Sequence, residues 1–222
     1  MSSHKVRANK PLLIMLYGFP GAGKTHFARN LTENLDAAHL QSDRIRNELF
    51  EEPRFDEQEN NIVNQLMDYM CEEFLRAGIS VIYDANAMRK TQRHAMRELV
   101  RKKGGKSLLV WFQIDADTAF NRLNKRDRRT ADDKYAVSYT QQDFRRYVSR
   151  MQQPLPTEDY VVVSGKHTYN SQKAAVFKKL LDMKLISFEN AQANVVKPGL
   201  INLIPNSNAG RVDMSRRNIH IR

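Results

Sequence analysis

Apolar residues in this chain fall alternately into short continuous runs and longer stretches of helical period. Leu12-Leu-Ile-Met-Leu16 is unbroken, the mark of a strand buried on both faces. A glycine-rich turn follows, and residues 24–35 then read as a helix with Phe27, Leu31 and Leu35 on one side. Residues 38–41 form a short second strand, after which Ser42 can cap a helix running from about 43 to 50. Asp56, with Glu59 three residues on, resembles a capping box opening a long helix. Its Ile62, Leu66, Met70 and Phe74 recur every fourth position until Gly78 supplies the stop. Residues 79–83 are the next apolar run, ending at Asp84. A very basic helix over 89–103 is closed by Gly104-Gly105, followed by a strand over 107–114 and a helix over 118–126. After a polar loop at 127–134, Ser138 with Gln141 suggests a second capping box, for a helix to about 151. A last strand at 160–163 and a last helix at 171–183 complete the pattern.

Strands alternating with helices imply right-handed crossovers and a three-layer α/β/α sandwich around a mostly parallel sheet. Helical aromatic and Met positions are read as core. From about residue 190 the periodicity dissolves into Asn, Pro, Gly and Arg. The expected organisation is therefore a basic N-terminal tail (1–10), one α/β domain (11–189) with a lid at about 122–140, and an extended basic C-terminal arm (190–222).

The length of 222 residues suits one such domain with trimmings. The single Cys71 cannot form an internal disulfide and suits a reducing compartment. No apolar run approaches the roughly 18 residues of a membrane span, so a cytoplasmic protein without membrane contact is expected. The net charge of +11 is unevenly placed. Residues 33–73 hold 12 acids against 3 bases, and residues 89–150 hold 17 bases against 7 acids. Such a division points to a lobe that holds anions rather than to a uniformly basic surface.

Gly18-Phe-Pro-Gly-Ala-Gly23-Lys24-Thr25 matches G-x-x-x-x-G-K-[ST] in full, with a strand before it and a helix after it. Gly18, Gly21, Ala22, Gly23, Lys24, Thr25 and His26 are thus the expected nucleotide-binding residues. Backbone N–H groups curl around phosphates there, Lys24 reaches the β/γ-phosphates of ATP, and the Thr25 hydroxyl takes a place on Mg²⁺. A dinucleotide fingerprint is excluded because His26 stands where a third glycine is needed. Asn124-Lys125-Arg126-Asp127 imitates a guanine-reading N-K-x-D, but it lies in a helical stretch and the chain contains no D-x-x-G. The histidines show no zinc-ligand spacing.

The remaining candidates favour phosphoryl transfer to an acceptor. Asp43 follows the second strand, where strand C-terminal ends line the ligand crevice, and its carboxylate can take the proton of an acceptor hydroxyl. Arg46, almost one helical turn on, can hold an anionic group of that acceptor. Asp84 ends an apolar strand, the arrangement that sets a carboxylate beside the metal. Arg122 and Arg126, four apart, share a helix face below the polar loop. One can stack on adenine while the other neutralises the transferring phosphoryl; Arg129 competes with Arg126 for the second role.

Gly18 to Thr25, Ser42-Asp43-x-x-Arg46, Val81-Ile-Tyr-Asp84-Ala-Asn86 with Arg93, and Arg122-x-x-x-Arg126 together resemble the P-loop kinases grouped around phage polynucleotide 5′-hydroxyl kinase and the zeta toxins. The similarity runs from about residue 12 to 181. It implies a P-loop NTPase sheet with a helical lid, ATP and Mg²⁺ as cofactors, and Asp43 as general base. It also implies Arg46, Asp84 and Asn86 on the acceptor side and Arg126 as the lid arginine. The usual Asp-Thr-Asn is Asp84-Ala85-Asn86 here, which loses a hydroxyl, and no phosphatase-type D-x-D-x-T follows. The same family includes kinases of antibiotics, sugars and nucleotide-sugars, so the acceptor does not transfer with the fold. The basic lobe makes a nucleotide or 5′-hydroxyl nucleic acid the first expectation, and nucleic acid is an expected partner through the lid and the C-terminal arm. An ATPase that binds nucleic acid without phosphorylating it is the alternative. The sequence carries no signature of oligomeric state.

Overall fold

The computed structural model describes residues 5–127, 129 and 134–187. Five strands alternate with seven helices among these residues: β1 (Leu12–Gly18), α1 (Lys24–Thr32), β2 (Ala37–Gln41), α2 (Ser42–Leu49), α3 (Glu57–Arg76), β3 (Ser80–Asn86), α4 (Lys90–Lys102), β4 (Lys106–Gln113), α5 (Ala116–Asn124), α6 (Gln141–Ser149), β5 (Tyr160–Ser164) and α7 (Tyr169–Asp182). The sheet order is β2-β3-β1-β4-β5 and every pairing is parallel.

β1 is central and all seven of its residues are buried, as its unbroken apolar run requires. Leu12, Ile14 and Leu16 face one layer, where Phe27, Ala28 and Leu31 of α1 meet Val176, Phe177 and Leu180 of α7. Leu13, Met15 and Tyr17 face the other layer, against Val63, Met67 and Cys71 of α3 and Met96 and Val100 of α4. The alternation of period two thus feeds two separate cores from one strand. A third, smaller cluster of Ala119, Leu123 and Phe144 joins α5 to α6, with Phe19 of the glycine loop packed on it.

The packed face of α3 is centred one position beyond the expected Ile62/Leu66/Met70/Phe74 row, of which Met70 and Phe74 still pack half-buried on the same core. Glu59, Val63, Met67, Cys71 and Leu75 are buried, while Ile62 is 42% exposed. Both rows repeat every fourth residue, and a one-residue rotation of about 100° separates them. Periodicity alone leaves that rotation open, and packing against the sheet settles it. Asp56 caps α3 through the Glu59 amide at 2.9 Å, but Glu59 does not return the bond. Its carboxylate accepts instead from the Arg54 and Phe55 amides, made possible by Phe55 in the left-handed region (φ 59). One further expected cap is displaced, and one expected helix starts earlier. Thr140, not Ser138, caps α6, and Asp115 caps α5 from a start two residues before Thr118. No helix among the described residues is long and apolar enough to cross a membrane. Residues 1–4, part of the expected lid (128 and 130–133) and the C-terminal arm from 188 onward lie outside the described residues.

Candidate active site

The carboxyl ends of β1, β2 and β3 converge on a cleft of about 470 Å³. Parallel strands bring their C-terminal loops to one edge, so motifs from distant parts of the chain meet there. The glycine loop between β1 and α1 forms its floor. Gly23 takes φ 91 as the N-cap of α1, a conformation that favours glycine. Gly21, at φ 85, lies so close to α5 that an added Cβ would run into the Ala119 carbonyl. Lys24 Nζ donates to the Gly18 and Phe19 carbonyls at 2.8 and 2.9 Å, folding the lysine over its own loop. Burial pushes the Lys24 amine down to about 8; Asp84 and Asp43 oppose that shift and Arg126 adds to it.

Asp84 is 5% exposed and draws three elements together. Thr25 Oγ1 donates to its Oδ1 at 3.3 Å, His39 Nε2 lies 3.1 Å from its Oδ2, and Ser42 Oγ donates to its backbone carbonyl at 3.3 Å. Ser42 is therefore spent on β3, and α2 begins without a side-chain cap. A threonine hydroxyl and a carboxylate beside the loop lysine are hard oxygen donors of the kind that suits Mg²⁺. The α1 N-terminus, Lys24 and Arg126 suit the phosphates of a nucleotide.

Asp43, in the first turn of α2, lines the same cleft. Burial first, and then the neighbouring Asp84, push its carboxyl up to about 6, against Arg46, Arg126 and Lys24. Arg122 donates to the Gly165 carbonyl at 2.7 Å and, like Arg126 and His26, lines the cleft. Of the two arginines competing for the lid role, the structure places Arg126 in the cleft wall. Arg129 is turned onto Asp127, with Nε 2.9 Å from Oδ1.

Two expected acceptor contacts are arranged differently. Arg46 is 5% exposed, outside the cleft wall, with Nη1 on Glu59 at 3.2 Å and Nη2 on Asn60 at 2.6 Å. Glu59, the acid left over when the capping box opened, claims the guanidinium that the spacing assigned to substrate. Asn86 does line the cleft, but both ends of its amide are engaged. Oδ1 accepts from the Gly18 amide at 3.2 Å and Nδ2 donates to the Tyr147 hydroxyl at 3.0 Å. It ties the phosphate loop to α6. Arg93, quoted in the resemblance, is fully buried on Glu158 and on the Ala87, Gln152 and Gln153 carbonyls.

Several cleft residues had gone unnoticed in the sequence. Tyr147 is a helical aromatic read as core, yet it and Tyr139 face the cleft with ring centroids 5.8 Å apart. The loop after β5, Gly165 to Thr168, also lines it, and the rule that strand carboxyl ends bound the crevice would have found it. His39 gave no signal, because its partner lies 45 residues away.

A parallel sheet of this order with the phosphate loop after its central strand is the α/β/α fold of the P-loop nucleoside triphosphatases. The chain belongs to the AAA domain family AAA_33, whose profile matches residues 13–154. It is 28% identical over 133 residues to the sulfate adenylyltransferase of Aspergillus clavatus, a match spanning 57% of this chain and 22% of that longer protein. Among solved structures, a putative kinase from Chloroflexus aurantiacus superposes with a TM-score of 0.62 at 18% identity, covering 78% of this chain and all of the other. The Mycobacterium tuberculosis APS kinase CysC, solved with AMPPNP and APS, gives a TM-score of 0.56 at 18% identity, over 78% of this chain and 98% of that one.

Proposed function

We propose that this protein is an ATP- and Mg²⁺-dependent kinase that transfers the γ-phosphoryl group to a hydroxyl acceptor. The observation that carries this reading is one cleft in which the phosphate loop, Asp84 and Arg126 adjoin a second, half-buried carboxylate, Asp43. A carboxylate so placed can take the proton of an acceptor hydroxyl as the phosphoryl group leaves ATP. Lys24 and the α1 amides would hold the β/γ-phosphates, and Thr25 and Asp84 would hold Mg²⁺, which would offset the phosphate charge. Asp43 takes the hydroxyl proton as the acceptor oxygen bonds to phosphorus and the bond to the β,γ-bridging oxygen breaks, releasing ADP with that electron pair. Arg126 neutralises charge on the phosphoryl group in flight, and Arg122 holds the nucleotide side together with the Gly165 loop.

The likeness to a putative kinase and to an APS kinase agrees with this chemistry and leaves the acceptor open. The narrower resemblance to polynucleotide kinases and zeta toxins rests on Asp43, Asp84 and Arg126, all in the cleft wall, and is weakened by Arg46, which is not. A nucleic-acid partner on the basic stretch 89–150 is part of the same proposal, although Arg101 is paired with Glu98 and Lys103 with Glu72. The deciding experiment follows radiolabelled γ-phosphate from ATP in the presence of an acceptor panel. Label on an acceptor supports the reading. Label appearing only as orthophosphate, with Asp43→Ala turning over ATP like the wild type, would replace it with the ATPase alternative.

A further inference from the structure

Asp84 is approached from two sides, and only one of them is the cleft. Lys24 and Thr25 share the cleft wall with it, whereas His39 is not among the residues that line the cleft. In the β2–β3 register His39 stands opposite Ile82 and Gln41 opposite Asp84. His39 and Asp84 are therefore diagonal neighbours on the sheet face that carries Ile82 into the α1 layer. The imidazole reaches the carboxylate from behind, with Nε2 3.1 Å from Oδ2, and the two side chains are 19% and 4% exposed. The other oxygen, Oδ1, is the one that meets Thr25 Oγ1, at 3.3 Å. The carboxylate is thus divided, one oxygen tied to β2 and the other turned to the phosphate loop.

That division matters for the Mg²⁺ that the phosphotransfer reading above assigns to Thr25 and Asp84, and the inference rests on that reading. Mg²⁺ demands near-octahedral geometry, so a carboxylate that serves it must be held in one orientation. An aspartate carboxylate left to itself turns about a broad, roughly two-fold torsion and exchanges its oxygens. A ring N–H held by a neighbouring strand removes that freedom. It also satisfies an oxygen that burial would otherwise leave unpaired. Donation from Nε2 sets the tautomer of the neutral ring, with the proton on Nε2 and Nδ1 as the acceptor. Joining β2 to β3 does not require this bond, because the backbone ladder already pairs residues 37–41 with 80–84.

We propose that His39 is a positioning residue of the cation site. It donates from Nε2 to Oδ2 and so holds Oδ1 of Asp84 beside Thr25 in the orientation that serves Mg²⁺, touching neither metal nor nucleotide itself. Outer partners of this kind, which orient a ligating group, commonly contribute 10- to 100-fold to metal affinity.

The test measures binding of AMPPNP, a non-hydrolysable ATP analogue, to the full chain by calorimetry, once in excess Mg²⁺ and once in EDTA. The ratio of the two dissociation constants is the part of the affinity that the cation supplies. Mg²⁺ should tighten binding to the wild type. His39→Ala should reduce that gain about tenfold and leave the affinity in EDTA unchanged. His39→Gln, whose amide N–H can reach the same oxygen, should restore most of the gain. An undiminished gain in His39→Ala overturns the proposal and leaves the kinase reading intact, as does a His39→Gln no better than His39→Ala. Equal loss with and without Mg²⁺ assigns His39 to the fold alone and overturns the proposal too. If Mg²⁺ gives the wild type no gain, the assignment of Thr25 and Asp84 to the cation falls, and the role of His39 falls with it.

Discussion

Asp43 offers the sharpest check, because one substitution should move activity and stability in opposite directions. Its carboxyl is pushed up to about 6, by burial first and by Asp84 second. A raised carboxylate pKa means that the folded protein binds this proton more tightly than the unfolded chain does. The ionised group therefore costs stability above the folded pKa, and that cost disappears as pH falls toward the unfolded value. A base must be ionised to act, so the same titration switches catalysis on as pH rises. With a pKa of about 6, roughly 90% of Asp43 is ionised at pH 7 and roughly 10% at pH 5, so kcat/KM should fall about tenfold between them. The kcat/KM profile is the right measurement because it reports groups of the free enzyme. Asp43→Asn should lose about 10²- to 10⁴-fold in kcat. At pH 8 it should also be more stable than the wild type, by roughly 1–3 kcal/mol in urea denaturation, with the gain vanishing near pH 4. A flat profile from pH 5 to 7.5, or a destabilised Asp43→Asn, would show that Asp43 is an ordinary first-turn acid.

Three further outcomes follow from neighbouring groups. Lys24, lowered to about 8, is charged below that pH and neutral above it, so ADP affinity measured calorimetrically should weaken as pH rises through 8. Lys24→Ala should weaken it by about 10- to 100-fold at pH 7 and abolish that dependence. Arg93 and Glu158 form a fully buried ion pair, so Arg93→Met strands a buried carboxylate and should cost about 3–5 kcal/mol in chemical denaturation. A loss below about 1 kcal/mol would mean that water reaches Glu158. Removing residues 190–222 deletes a net charge of +4, and if that arm contacts nucleic acid the log–log salt slope of RNA binding should fall by roughly 3. An unchanged slope assigns the arm no part in binding.

Much of this protein is legible along the chain. The unbroken run in β1, the glycine spacing after it and the alternation of strand and helix are local patterns with local physical causes, and they determine a parallel sheet with a phosphate loop at its centre. Asp43 and Asp84 were also legible, because a residue that ends a parallel strand, or follows one, arrives at the crevice whatever surrounds it. Side-chain partnership is a different matter, since it depends on which distant group reaches a charge first. Arg46 had the right spacing for substrate, but Glu59, held 13 residues away by the turn at Phe55, takes it into a buried pair. Arg126 and Arg129 were equivalent in sequence until Asp127 captured one of them. Tyr147 looked like one more core aromatic until the rotation of α6 turned it toward Asp43 and Asn86. The sequence by itself determined the fold and where phosphates would sit, because backbone geometry and burial period act over a few residues. Only the tertiary structure decided which charges remain in the cleft, because ion pairs are chosen by proximity in space and by the cost of leaving a buried charge alone.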